Sequence, residues 1–224
     1  MPRAGRGRRD AAERPTLRPV PTYATRTSPA TEPVLGWRLW SLCEDGLESW
    51  AVDYRWRPGE NVATCLDAGR RRCATAPGPG CLCGFWGLWR PSLCVVRACV
   101  APEPPWHVLG LIAGWGSVAL HGREGFRAER AGLRCLFTDR MWAAPWLRGR
   151  AGVGAAHIHH VGPALIRLRA AAARYGVPLL AVRDAAQVGL LAELGVPEPQ
   201  VAEAVELASR WTRPGLDEGR LAPW

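Results

Sequence analysis

From Val34 onward, short runs of alternating apolar and polar residues are separated by tight turn signals, and the pattern turns helical only late in the chain. The run Leu35-Gly36-Trp37-Arg38-Leu39-Trp40-Ser41-Leu42 predicts a strand, Glu44-Asp45-Gly46 a turn and residues 47–54 the returning strand. Asp-Gly between two such runs is a hairpin signal because both residues tolerate positive φ. A Pro58-Gly59 turn then ends the hairpin, and Asn61 is placed to cap a short helix reaching Leu66. Residues 69–80 read as loop, carrying Arg70-Arg71-Arg72 and ending in Pro77-Gly78-Pro79-Gly80. Residues 84–89 are short and apolar, so their periodicity fits a helix or a buried strand equally. Residues 95–100 read as a strand broken by the prolines that follow.

The next two segments carry the clearest sheet signal. Residues 108–120 place Gly110, Gly114 and Gly116 on one alternating face, against Leu109, Leu111, Ala113 and Trp115 on the other. Glycines at that spacing in a strand imply close backbone approach or sharp bending, as a curled or barrel-like sheet requires. A turn at 121–125 leads to an extended segment over 126–137. Beyond Thr138 the period lengthens. Residues 163–175 predict a helix with proline near its start and Gly176 as its stop, and 177–182 a buried strand. Asp184 is placed to cap a second helix ended by Gly195, and residues 198–211 form a third.

The expected fold is therefore α+β: a curled, mainly antiparallel sheet or partial barrel, with a C-terminal helix–strand–helix packed onto it. One domain covers 34–212, behind a disordered basic arm at 1–33 and before a tail at 213–224. The arm is rich in arginine and proline and has no apolar period, so it cannot bury enough surface to offset its ordering entropy.

Composition adds charge to this picture. The net charge is +9, and all 29 basic residues are arginine. Such a balance favours anionic partners, nucleic acid above all, because arginine pairs bidentately with phosphate. Arg70, Arg71, Arg72 and Arg127 are the candidate anion-binding residues, although a GC-rich coding sequence explains arginine enrichment without function. No apolar h-region follows the basic start, and the longest apolar run, 108–120, is glycine-broken and too short to span a bilayer. These features predict a cytoplasmic protein without a membrane partner, in which the eight cysteines are free thiols or metal ligands.

Cys65, Cys73, Cys81 and Cys83 crowd into the loop-rich stretch, where a structural zinc would rigidify a segment with little core of its own. Their spacing departs from a zinc ribbon, which presents two C-x-x-C knuckles where this chain has one C-x-C. His121 could complete a set with three of them, and Cys83, Cys94, Cys99 and Cys135 also suit small core positions. His157, His159 and His160 offer H-x-H, which is compatible with chelation from a strand because alternate residues share a face, but the sequence favours a solvated loop or helix entry there. Thiol catalysis would draw on Cys81 or Cys83 with His121 and Glu129. No P-loop, G-x-S-x-G or H-E-x-x-H occurs, which disfavours familiar nucleotide-dependent, serine-hydrolase and zinc-protease chemistry. The 12 tryptophans, several beside arginine, fit either a base-stacking surface or the core, with Trp56 and Trp89 the best placed for exposure.

One set of short motifs resembles a group of uncharacterised proteins of high-GC bacteria. It consists of Trp56-x-Pro58-Gly59-x-Asn61-x-Ala63-x-Cys65, Cys81-x-Cys83-Gly84, Trp115-Gly116-x-Val118 and Gly125-x-Arg127-Ala128-Glu129-x-Ala131. Phe85-Trp86 stands where Ile-Tyr is usual in that group, and Gly114 where a larger apolar residue is. More loosely, the bent sheet is similar to PUA-type barrels, which implies RNA or modified bases as ligands. The sequence reading favours a non-enzymatic module binding nucleic acid or another anion. Its alternatives are a zinc-stabilised protein-interaction domain and a cysteine-dependent enzyme.

Overall fold

The computed structural model describes residues 27–49, 51–65, 73–100, 107–139 and 153–212. Along them run β1 (Thr27–Cys43), β2 (Gly46–Ser49), β3 (Glu60–Val62), β4 (Phe85–Leu88), α1 (Pro91–Val100), β5 (His107–His121) and β6 (Gly125–Phe137). They continue as α2 (Val153–Tyr175), β7 (Leu179–Leu180), α3 (Val182–Gln187), α4 (Leu190–Glu193) and α5 (Glu198–Thr212). The expected architecture is present: a mixed α/β chain with a curled, mostly antiparallel sheet and a helical C-terminal region. The long strands β1, β5 and β6 pair in sequence, while β4 bridges β6 back to β1 at Trp37↔Leu88. The pairings thus run round a ring, but the sheet stays curled and does not form a barrel.

Both faces of the sheet are covered. Trp37 and Leu39 of β1, Leu109 and Leu111 of β5, and Cys135 and Phe137 of β6 face the side on which α1, α3, α4 and α5 pack. Trp40, Leu42, Ile112, Val118, Phe126 and Ala128 face the other side, with Trp56 and Phe85, and are closed by Leu168, Ala171, Ala172 and Tyr175 of α2. Trp37 Nε1 donates to Gln200 Oε1 at 2.9 Å, which ties α5 to the first layer. On the second, the Tyr175 hydroxyl accepts from the Leu47 N–H and donates to the Trp56 carbonyl, each at 3.0 Å. That hydroxyl also explains Gly46 in the β1–β2 turn: φ is +134° and a Cβ there would lie 2.7 Å from it.

The curl has a local cause. The Phe126 ring sits in a cradle where a Cβ on Gly36, Gly87 or Gly114 would come within 2.7, 2.5 and 2.5 Å of it. Three strands approach one ring because none carries a side chain at that point.

Several sequence expectations change. β1 begins at Thr27, within the stretch assigned to the arm, because Thr27 to Ala30 pair with Ala119 to Gly116 of β5. The remainder of the arm, residues 1–26, and the tail 213–224 lie outside the described residues. Residues 95–100 are helical, not strand. Pro91 opens α1, a position where its missing N–H loses nothing, and Pro91 and Cys94 bury one face while Val96 is exposed. Asn61 lies in β3 and caps no helix; its side chain bonds the Arg57 N–H and carbonyl and so locks the Pro-Gly turn. Trp56 is buried between Trp40 and Phe85, so it offers no stacking surface. α2 starts at Val153 and contains Pro163, and Asp139 rather than Asp184 meets the N-terminus of α3, accepting from the Val182 N–H at 2.6 Å.

Candidate metal centre

β3 and β4 pair with adjoining stretches of β6, at Arg130–Gly132 and Gly125–Ala128. The described parts of the chain between them, residues 63–65 and 73–84, therefore lie beside each other at that edge of β6. All four clustered cysteines sit on these stretches: Cys65 just past β3, Cys73 in mid-loop, Cys81 and Cys83 just before β4.

Their sulfurs lie within 4.8 Å of one another, and Cys65 and Cys81 Sγ are 3.7 Å apart. A metal bound to four thiolates at about 2.3 Å imposes sulfur–sulfur edges of about 3.8 Å, so the quartet has the scale of a tetrahedral site. All four are free thiols. The Gly78 N–H donates to Cys83 Sγ at 3.2 Å, and the Cys81 N–H donates to the Gly78 carbonyl at 3.3 Å. A side chain on Gly78 would collide with Cys73, its Cβ 2.2 Å from the sulfur. The Pro-Gly repeat thus fits Cys73 and the C-x-C pair around one point.

Two of the thiols, Cys73 and Cys83, are poor nucleophiles as they stand. Desolvation first, then hydrogen bonding with Cys81, Cys65 and Cys83, pushes Cys73 up to about 12, and burial likewise raises Cys83. A divalent ion competes with those protons for the sulfurs and holds them as thiolates. An open depression of about 320 Å³, lined by Val62, Thr64, Thr75 and Glu129, exposes the Cys65–Cys73 side of the quartet and gives an ion its path in.

Arg127 stands behind the centre. Opposite Trp86 in the β4–β6 ladder, it is 2 % exposed. Its Nη1 donates to the Cys81 carbonyl and, at 3.0 Å, to the Cys83 carbonyl, while Nε donates to His121 Nε2 at 2.7 Å. The guanidinium carbon lies 5.7 Å from the Trp86 ring centre, Trp86 packs at a tilt on His121 at 4.5 Å, and Trp86 Nε1 donates to the Leu82 carbonyl at 3.2 Å. Leu82, between two ligands, is 55 % exposed at the tip.

Of the predicted anion-binding set, Arg70, Arg71 and Arg72 lie outside the described residues. Arg127 is a buried strut, not an accessible phosphate contact. Of the residues offered for thiol catalysis, His121 accepts from Arg127, and Glu129 accepts from the Ser117 N–H at 3.0 Å, which holds its carboxyl below the usual range. Cys94 and Cys135 are fully buried, as expected of core cysteines, whereas Cys83 belongs to the quartet. His157, His159 and His160 lie on α2, not on a strand, and their side chains lie outside the described residues. The sequence reading missed Gly78 and Trp86, and gave Arg127 and His121 other roles. The glycine was legible as turn chemistry, but a stacking partner across strands has no local signal.

No protein-family profile, curated protein or solved structure matches this chain. Among the described residues no helix is long and apolar enough to cross a membrane.

Proposed function

We propose that this protein is a metal-stabilised interaction domain in which Cys65, Cys73, Cys81 and Cys83 hold one zinc ion. The observation that carries this reading is the convergence of four thiols to tetrahedral scale on a loop with little apolar core of its own. A quartet of sulfurs closes the coordination sphere and leaves no open position for water or substrate, the hallmark of a structural rather than a catalytic zinc. The ion's contribution is a rigid cross-link between the start and end of the loop. It thereby fixes the exposed tip at Leu82, an apolar residue displayed between two ligands.

Zinc is favoured over other metals because four soft thiolates at tetrahedral geometry suit it, while hard, oxygen-seeking cations find no carboxylate in the quartet. Iron shares the ligand preference, and the first experiment separates the two by mass and colour. Native mass spectrometry of the purified protein should show one zinc that is lost on denaturation, and a strong chelator should lower Tm. A chelator that leaves Tm unchanged, with all thiols free and no metal mass, refutes the reading.

A further inference from the structure

We infer that Arg127 is the built-in counter-cation of the metal centre, fixing the quartet as a net-anionic tetrathiolate. The inference rests on the metal reading above. Four thiolates around a divalent ion leave a doubly negative cluster, and a cluster of that charge is costly inside a protein unless a cation accompanies it. Arg127 meets the requirement from the protein's side.

Three observations lead there. First, Arg127 is buried and, among the described residues, forms no ion pair with a carboxylate, whereas the arginines that do, Arg55, Arg90, Arg130 and Arg167, are all exposed. A buried cation without a counter-anion is among the most unfavourable arrangements in a fold. Second, its hydrogen bonds go to neutral acceptors: two backbone carbonyls and an imidazole nitrogen. Those engage Nε and Nη1 and leave the charge uncompensated. Third, both carbonyls belong to ligand residues, Cys81 and Cys83, so the guanidinium is held against the centre itself. His121 and Trp86 complete the setting by fixing Nε and covering the guanidinium plane. Arg127 touches no metal-binding atom, so it is a positioning residue that acts through the charge of the sulfurs.

The test compares full-length wild type with Arg127→Lys, Arg127→Met and, as a control on the same strand, Arg130→Met. Zinc affinity is read by competition with a chromophoric chelator, and the ligand set by the thiolate-to-metal absorption of the cobalt-substituted protein. Arg127→Met should weaken zinc by about 10–100-fold, the usual effect of losing an outer-shell partner, while retaining four-thiolate cobalt bands. Arg127→Lys, which keeps the charge without the planar fork, should recover most of that loss, and Arg130→Met should match wild type. Equal affinity for Arg127→Met and wild type overturns the inference and leaves the metal reading intact; so does a lysine variant as weak as methionine, which would assign Arg127 to loop shape alone. A wild type that takes up no zinc overturns both. Should Arg127→Met not fold, Arg127→Lys decides: zinc affinity near that of wild type supports the counter-charge, and a loss beyond about tenfold refutes it.

Discussion

Gly87→Ala puts the packing account to its sharpest test. The new methyl would lie 2.5, 2.6 and 3.2 Å from three carbons of the Phe126 ring. Ordinary carbon–carbon contact is about 3.5–4.0 Å, so ring and strand must part by about 1 Å. The ring cannot give way: it is fully buried, with Gly36 and Gly114 in close approach and the Trp89 ring packed at a tilt 5.4 Å away. The substitution is therefore overpacking with no relief, and should cost about 1–3 kcal/mol of stability. Phe126→Leu alone should cost about 1–2 kcal/mol, because it removes ring carbons from a filled site. The double variant gives the methyl the space the ring vacated, so it should be at least about 1 kcal/mol more stable than the sum of the single losses predicts. Urea denaturation of the four proteins at saturating zinc, followed by tryptophan fluorescence at constant m, measures the cycle. Losses that add to within about 0.5 kcal/mol would show that the glycine does not serve the ring.

Two further outcomes follow from titratable groups away from the centre. His107 is 1 % exposed, and burial, offset only in part by the Trp40 backbone, holds its pKa below the usual imidazole value. The unfolded chain then takes up a proton near pH 6.5 that the folded protein still refuses, so stability should fall as pH drops through that value, by at most about 1.4 kcal/mol per pH unit. His107→Leu should flatten that part of the profile; a slope unchanged in the variant counts against the assignment. Cys43 is pushed up to about 11, by burial first and then by hydrogen bonding and charge from Glu48. Glu48→Gln removes the second cause and frees Arg55 from its 2.8 Å ion pair with Glu48, so Cys43 alkylation at mildly alkaline pH should quicken roughly two- to tenfold. Peptide mapping reads that one site, and an unchanged or slower rate contradicts the cause.

Local chemistry in the sequence made much of this molecule legible. Asp45-Gly46 marks the hairpin, Gly176 stops α2 with φ of +64°, and alternation along residues 35–42 separates Trp37 from Trp40 onto the two faces where they are found. What failed did so for physical reasons. Val95 and Val96 suggest a strand by propensity, yet helix packing on the sheet outweighs a preference that is small per residue. Trp56 beside a Pro-Gly turn suggests exposure, but Trp40, Phe85 and the Arg38 guanidinium, 4.9 Å from its ring, enclose it from distant parts of the chain. The four cysteines were legible as a set from their crowding in one loop-rich stretch. Their geometry was not, because the convergence depends on β3 and β4 meeting adjoining stretches of β6, a long-range fact that C-x-C spacing does not carry.

Arg127 shows most clearly why residue type alone misleads. In a chain of net charge +9 with no lysine, an arginine in a short polar motif suggests an anion-binding surface. Strand alternation decides otherwise. Phe126, one position earlier on β6, points into the core cradle, so Arg127 must face the opposite side, where Trp86 is its cross-strand neighbour and the cysteine loop lies above it. The same ladder register therefore sets the ring among its glycines and the guanidinium against the Cys81 and Cys83 carbonyls. A distortion that pushes Phe126 out of place should then also disturb the metal centre. Zinc affinity measured on Gly87→Ala should consequently fall along with its stability, and recover in the Gly87→Ala, Phe126→Leu pair. Affinity untouched by Gly87→Ala would mean that the loop holds its geometry independently of the strand beneath it.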